Sequence, residues 1–80
     1  MTHSEFHKLP CTLMSHMSLT TGHLANYLAE TPKGDVRIEI YTRRLKNGEF
    51  GKSIRSYTFR GKEYKSVNEL LSDYNETEID

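Results

Sequence analysis

The hydrophobic positions between residues 13 and 28 have the spacing of two short helices joined by a tight turn. The apolar side chains recur at helical spacing on either side of a central leucine: Leu13, Met14 and Met17 before it, Leu19 in the turn, and Leu24, Ala25 and Leu28 after it. This spacing predicts that the two inner faces pack against each other. Thr20 or Thr21 would cap the second helix, which would run to about Glu30 and stop before Pro32.

A different period follows, because residues 35–43 alternate between apolar and polar side chains. Such alternation predicts a half-buried strand. The dipeptide at residues 47–48, Asn-Gly, favours a two-residue type I′ hairpin turn. That turn fixes the register of two strands and predicts these facing pairs: Val36 with Phe59, Ile38 with Tyr57, Ile40 with Arg55, Arg37 with Thr58, Glu39 with Ser56, and Arg43 with Lys52.

The C-terminal part of the chain predicts a third strand and a final helix. A turn at Gly61-Lys62 would bring Phe59 opposite Tyr64 and Arg60 opposite Glu63. Residues 66–69 have the sequence of a capping box, in which Ser66 caps the helix and Glu69 reaches back. One apolar face follows at helical spacing: Val67, Leu70, Leu71 and Tyr74.

The N-terminal residues predict a short helix over 2–9, capped by Thr2 or Ser4. Pro10 would then be the first residue of the next helix, where its missing N–H costs little. Residues 1–75 are therefore expected to form one domain, followed by an acidic tail at residues 76–80. No apolar run approaches the roughly 20 residues that cross a bilayer, and no signal-peptide core is evident, so we expect no membrane partner and a cytoplasmic location.

The formal net charge of the 80 residues is zero, but the charges are segregated along the chain. Residues 36–65 carry nine basic and three acidic side chains, whereas residues 66–80 carry five acidic side chains and no basic one. The net charge of zero excludes a strongly basic, non-specific nucleic-acid binder. It does not exclude a local basic surface on the predicted hairpin.

The order of these elements resembles that of the winged helix-turn-helix superfamily of DNA-binding domains. LMSHMSLTTGHLANYL is similar to its helix-turn-helix, with Leu19 in the turn and Leu24 at the buried position of the recognition helix. VRIEIYTRRLKNGEFGKSIRSYTF looks like its wing, so the likeness covers roughly residues 10–60. It implies an α+β, winged-helix-like domain with N-terminal helices, a three-stranded antiparallel sheet with a basic hairpin, and a C-terminal helix.

In that arrangement the second helix would lie in the major groove and the wing would contact the DNA backbone or the minor groove. Free N–H groups at the helix N-terminus would bind a phosphate, and Asn26 would pair with an adenine edge. The candidate DNA-binding residues are Thr20, Thr21, His23, Asn26, Tyr27, Arg43, Arg44, Lys46, Lys52 and Arg55.

Metal and catalytic chemistry have less support from the residues. His3, His7, Cys11 and His16 form a loose run of possible metal ligands, but Pro10 interrupts it and no second ligand cluster exists. No phosphate-binding loop, nucleophile elbow or metalloprotease motif occurs, so we expect neither an enzyme nor a bound cofactor. The single cysteine has no partner for an internal disulfide.

The sequence thus predicts a small regulator of transcription or replication that binds double-stranded DNA, with a compactness typical of phage or mobile-element proteins. A protein-binding module or inhibitor is the alternative, docking through the basic hairpin or the acidic final helix. A homodimer through that helix is also predicted, because Leu71 and Tyr74 exceed what so small a core needs.

Overall fold

A computed structural model describes residues 1–78, which form one antiparallel sheet and two short helices. The strands are neighbours in chain order, so each pairs with the next and no connection crosses the sheet. The elements are α1 (His3–Lys8), β1 (Cys11–Ser18), β2 (Gly22–Thr31), β3 (Gly34–Arg44), β4 (Phe50–Phe59), β5 (Lys62–Tyr64) and α2 (Val67–Glu76).

Residues 13–28 form a β-hairpin, so the predicted helix pair is wrong. Leu19 N donates to the Gly22 carbonyl at 2.7 Å, and Gly22 N donates back to Leu19 at 3.3 Å, which closes a two-residue loop at Thr20 and Thr21. β2 then pairs along its whole length with β3. A helix there would have left the backbone groups on that side of β3 without partners, and this non-local pairing overrides the local spacing.

The strand alternation of β1 is hidden by an irregularity between Leu13 and Ser15, where Met14 has no partner in the register. An extra residue of this kind shifts the period by one, and the apolar positions then imitate helical spacing. The fold is α+β as expected, but the winged-helix-like arrangement is wrong, because two strands replace the predicted helix pair and the sheet has five strands instead of three.

The N-terminal helix is confirmed. The Thr2 side chain accepts from Glu5 N at 3.2 Å and the Glu5 carboxylate accepts from Thr2 N at 3.1 Å, which makes a complete capping box. The prediction for Pro10 is wrong, since this residue precedes β1 instead of beginning a helix.

The β3–β4 register is confirmed from Val36–Phe59 to Ile40–Arg55, but the hairpin loop differs from the prediction. Leu45 N donates to the Glu49 carbonyl at 2.7 Å and Gly48 N donates to Leu45 at 3.0 Å, which encloses three residues instead of two. Gly48 has φ +85°, the left-handed position that such a loop requires.

The longer loop is matched by a register shift between Thr42 and Arg44, so that Arg44 pairs with Phe50. The predicted facing pair of Arg43 with Lys52 is therefore wrong.

The turn between β4 and β5 lies one residue earlier than predicted. Arg60 and Gly61 both have positive φ, +50° and +80°, as the central residues of a type I′ turn do. Tyr57 consequently faces Tyr64 and Phe59 faces Lys62, instead of the predicted pairs Phe59 with Tyr64 and Arg60 with Glu63.

The core lies on one face of the sheet, which both helices cover. The four predicted apolar residues of α2 are buried, as the sequence indicated. They pack with Phe6 of α1 and with the inward side chains of the strands, which are Ala29, Val36, Ile38, Tyr57, Phe59 and Tyr64. We call this the helix face of the sheet and the uncovered side the open face.

Because Leu71 and Tyr74 are used inside this core, with Tyr74 only 4% exposed, α2 has no spare apolar surface. The premise of the predicted helix-mediated homodimer is therefore wrong. Ser66 caps α2 through Glu69 N at 3.2 Å, while the Glu69 carboxylate accepts from Lys65 N. The predicted acidic tail of residues 76–80 begins inside α2, since Glu76 is the last residue of that helix. Residues 79–80 of this tail lie outside the described part of the chain.

Neither α1 nor α2, the helices of residues 1–78, has the length and apolar character needed to span a bilayer.

A polar clamp joins α2 to β5. The Asp73 carboxylate accepts from the Tyr64 hydroxyl at 2.7 Å and from the Lys62 ammonium at 3.1 Å. The bond to this carboxylate, together with burial, raises the pKa of Tyr64 to about 12. The hydrogen bonds from Tyr64 and then Lys62 hold the pKa of Asp73 below its ordinary value.

Gly22→Ala is expected to destabilise the sheet by about 1 to 3 kcal/mol, because the added Cβ would collide with the Thr42 carbonyl oxygen of β3. Gly51→Ala is the matched control, since the closest contact of its Cβ would be the end of the Leu45 side chain at 3.1 Å, which can move, and the Arg43 carbonyl oxygen would lie at an ordinary contact distance of 3.6 Å. Urea unfolding measures both. Equal losses for the two variants would contradict the close approach at Gly22.

Tyr64→Phe is expected to change the pH dependence of stability on the alkaline side. A raised folded-state pKa means that the clamp contributes fully below about pH 10 and loses its contribution as pH rises toward 12. The lowered pKa of Asp73 acts at the other end, because its contribution is present above its ordinary pKa of 3.8 and is lost as pH falls below it.

The free energy of unfolding, measured by urea titration from acid to alkaline pH, checks both limits. The parent should lose stability above about pH 10 more steeply than Tyr64→Phe, and Asp73→Asn should lessen the acid loss. If the free energy of unfolding depended on pH in the same way for the parent and for Tyr64→Phe, the Tyr64–Asp73 hydrogen bond would not contribute to stability.

Candidate nucleic-acid interface

One end of the sheet projects away from the helices, with only its base at Arg55 beside α1, and we call it the distal end. It consists of the β1–β2 loop, residues 19–21, and the β3–β4 hairpin from residue 43 to 55. The molecule is 47 Å long and only 22 Å wide. α2 packs against Phe59 and its neighbours on β4, and the nine residues back to Phe50 extend about 30 Å.

The distal end carries five exposed basic side chains against one acidic side chain, Glu49. None of the five forms an ion pair within residues 1–78, whereas Lys62 and Asp73 pair at the other end of the sheet. Unpaired cations on a narrow projection attract anions more strongly than cations that are neutralised by neighbours. The five are Arg43, Arg44, Lys46, Lys52 and Arg55.

Two hydrogen bonds join the loop at residues 19–21 to β3. Arg44 N donates to the Thr21 carbonyl at 2.9 Å, and the Tyr41 hydroxyl donates to the same oxygen at 3.1 Å. The structure thus brings together six of the predicted site residues: Thr20, Thr21, Arg43, Arg44, Lys46 and Lys52. Thr20 and Thr21 form a loop instead of a helix N-terminus, so the predicted free N–H groups of a helix are not available there.

The other predicted residues lie along the strands and do not share one surface. His23 faces Thr42 on the helix face, with its ring 5.5 Å from that of His16. Asn26 lies on the open face and donates to the Ser15 hydroxyl at 3.1 Å. Tyr27 is half-buried on the helix face, next to Ile38. No recognition helix exists within residues 1–78 to present these residues to a groove.

Arg55 also lies on the helix face, because it faces Ile40 in the register. Its exposed side chain therefore leaves the sheet beside α1, at the base of the hairpin. Of the five basic residues it is the one furthest from the loop at residues 46–48.

Exposed apolar side chains accompany the basic ones at the distal end, and the sequence pattern did not single them out. Phe50 is 58% exposed, Ile54 is 68% exposed, and Leu45 is exposed beside the loop. The Arg44 guanidinium lies 5.9 Å from the centre of the Phe50 ring. Their signal in the sequence was the presence of large apolar residues inside a charged hairpin, at positions that cannot reach a core.

The candidate metal ligands do not converge. His3 and His7 are neighbours on α1, with ring centres 4.7 Å apart, while His16 lies on β1 beside His23. Within residues 1–78, no three His, Cys, Asp or Glu side chains are placed to hold a metal ion.

Comparison with family models, with curated proteins and with solved structures finds no match to this chain.

Proposed function

We propose that the protein binds double-stranded DNA through the basic β3–β4 hairpin and acts as a small regulator of transcription or replication. The supporting observation is the separation of charge along the molecule. Five unpaired cations lie at the distal end, and the acidic residues of α2 lie at the other end of the sheet.

The tip of the hairpin suits this partner, because β2 ends opposite Arg43 and the chain beyond it continues as two strands only. A two-stranded antiparallel ribbon fits the major groove of B-DNA, and proteins that read DNA with strands use such ribbons. Arginine and lysine side chains on the ribbon bind phosphates, and the exposed hydroxyls of Thr20 and Thr21 add neutral donors beside them. In this proposal the hairpin takes over the DNA contacts that the sequence assigned to a recognition helix.

The position of α2 removes an electrostatic objection. The acidic side chains of α2 would repel DNA if they lay beside the basic residues. They lie instead near β5, at the end of the sheet opposite the distal end; they are Glu69, Asp73 and Glu76. A molecule with one basic and one acidic end is oriented by the field of a polyanion, so that its basic end approaches first.

The double substitution Arg43→Ala/Arg44→Ala is expected to weaken binding to a duplex of about 20 bp by about tenfold or more. The slope of log affinity against log salt, measured between about 50 and 200 mM, should become shallower by about one for each phosphate that the variant no longer binds. Fluorescence anisotropy of a labelled duplex measures both quantities.

Lys46→Ala/Lys52→Ala should act in the same direction, because both side chains are exposed on the hairpin. Lys8→Ala/Lys65→Ala is the matched control, since it removes the same charge from exposed positions outside the distal end. Equal effects of the two lysine pairs, or no duplex binding by the parent at low salt, would refute the proposal.

A protein partner is the second candidate, and the exposed apolar side chains of the hairpin favour it. Phe50, Ile54 and Leu45 are exposed apolar side chains that lie among basic ones, a combination found in many protein interfaces. Phe50→Ala separates the candidates. It should abolish capture of a protein partner, whereas DNA binding through phosphates should retain most of its affinity.

A further inference from the structure

The sheet ends on one side in an unprotected strand, β1. All eight of its residues are exposed, and the edge that faces away from β2 has no neighbour within residues 1–78. Natural sheets usually protect such an edge with charged residues, with proline or by making the strand short. β1 has no charged residue and no proline between Cys11 and Ser18, whereas the opposite edge, β5, has three residues that include Lys62 and Glu63.

We propose that β1 pairs with β1 of a second copy of this chain, antiparallel and about a two-fold axis perpendicular to the sheet. The pairing would join two five-stranded sheets into one sheet of ten strands. This interaction is independent of DNA binding and uses a surface away from the basic hairpin.

The irregularity at Met14 makes β1 complementary to itself over its full length. In β1, Cys11 and Leu13 lie on the helix face, Thr12 on the open face, and after Met14 the order is inverted. His16 and Ser18 therefore lie on the helix face, and Met17 lies on the open face opposite Leu24.

A two-fold axis perpendicular to the sheet keeps the two faces distinct, so each residue must face a partner from its own face. Full overlap of two regular eight-residue strands would violate this rule, because it pairs odd with even positions. The shift at Met14 corrects the mismatch. Full overlap then pairs Leu13 with His16 and Cys11 with Ser18 on the helix face, and Thr12 with Met17 on the open face.

The chemistry of β1 also favours a second copy over a charged partner. An uncharged strand has no charge with which to select an acidic or basic peptide, and two such strands do not repel each other. Pairing would cover the exposed side chains of Leu13, Met14 and Met17, and it would satisfy the edge N–H and carbonyl groups that otherwise depend on water. The two basic hairpins would then point in opposite directions, since the paired strands are antiparallel.

Met17→Lys tests the pairing by placing a charge in the edge strand. The parent is expected to form dimers in sedimentation equilibrium without nucleic acid, and Met17→Lys should weaken the association by about tenfold or more. Ile54→Lys is the matched control, because Ile54 is also on the open face and is 68% exposed against 57% for Met17, but it lies on β4. It should leave the association unchanged.

Ser18→Cys supplies a second test that does not disturb packing. In the proposed register Cys11 of one copy faces residue 18 of the other at a Cα separation of about 4.5 to 5.5 Å, which suits a disulfide. Within one chain these residues are at opposite ends of an extended strand and cannot bond. Mild oxidation should give a covalent dimer for Ser18→Cys and not for Ser53→Cys, a control that lies on the helix face of β4.

A parent that stays monomeric up to millimolar concentration would overturn the proposal. So would equal weakening by Met17→Lys and Ile54→Lys, which would indicate association through the open face. The third contrary result is cross-linking of Ser53→Cys as readily as Ser18→Cys. None of these outcomes affects the proposal for DNA, which concerns the hairpin.

Discussion

The packing of α2 against one face of β4 and β5 is the constraint on which the rest of the molecule depends. Leu70 is fully enclosed there, and Tyr74 packs on Phe59 with ring centres 5.2 Å apart. A slip of one residue in β3 or β4 would turn the buried side chains to the open face, so this packing also fixes the register. Because the helices cover only one end, the same register carries the hairpin outward into solvent.

The sequence predicted the elements whose period is regular and whose side chains enter the core. The β3–β4 register follows from the alternation around Val36 and Ile38, and α2 follows from its cap and its apolar face. β1 and β2 were missed for a physical reason. β1 buries nothing and Met14 breaks its alternation, while β2 is stabilised by backbone pairing with both neighbours, which no local pattern records.

The candidate site was predictable only where it depends on composition. The basic residues of the hairpin were evident because charge can be counted, and the hairpin was placed by its turn signal. The roles of His23, Asn26 and Tyr27 depended on a helix that does not form, and the three side chains are divided between two faces of the sheet. The apolar partners of the cations, Phe50 above all, become visible only when the covered part of the sheet is known.

The loop at the hairpin tip has one residue more than a two-residue turn. The register shift between Thr42 and Arg44 compensates for this extra residue. The loop adds one residue to the connection, and the shift absorbs it before the strand enters the core. A change in loop length is thus confined to the distal end, and the pairing of the buried residues of β3 and β4 stays the same. The fold therefore leaves the distal end free to vary in length and in the direction of its side chains while the folded body stays the same.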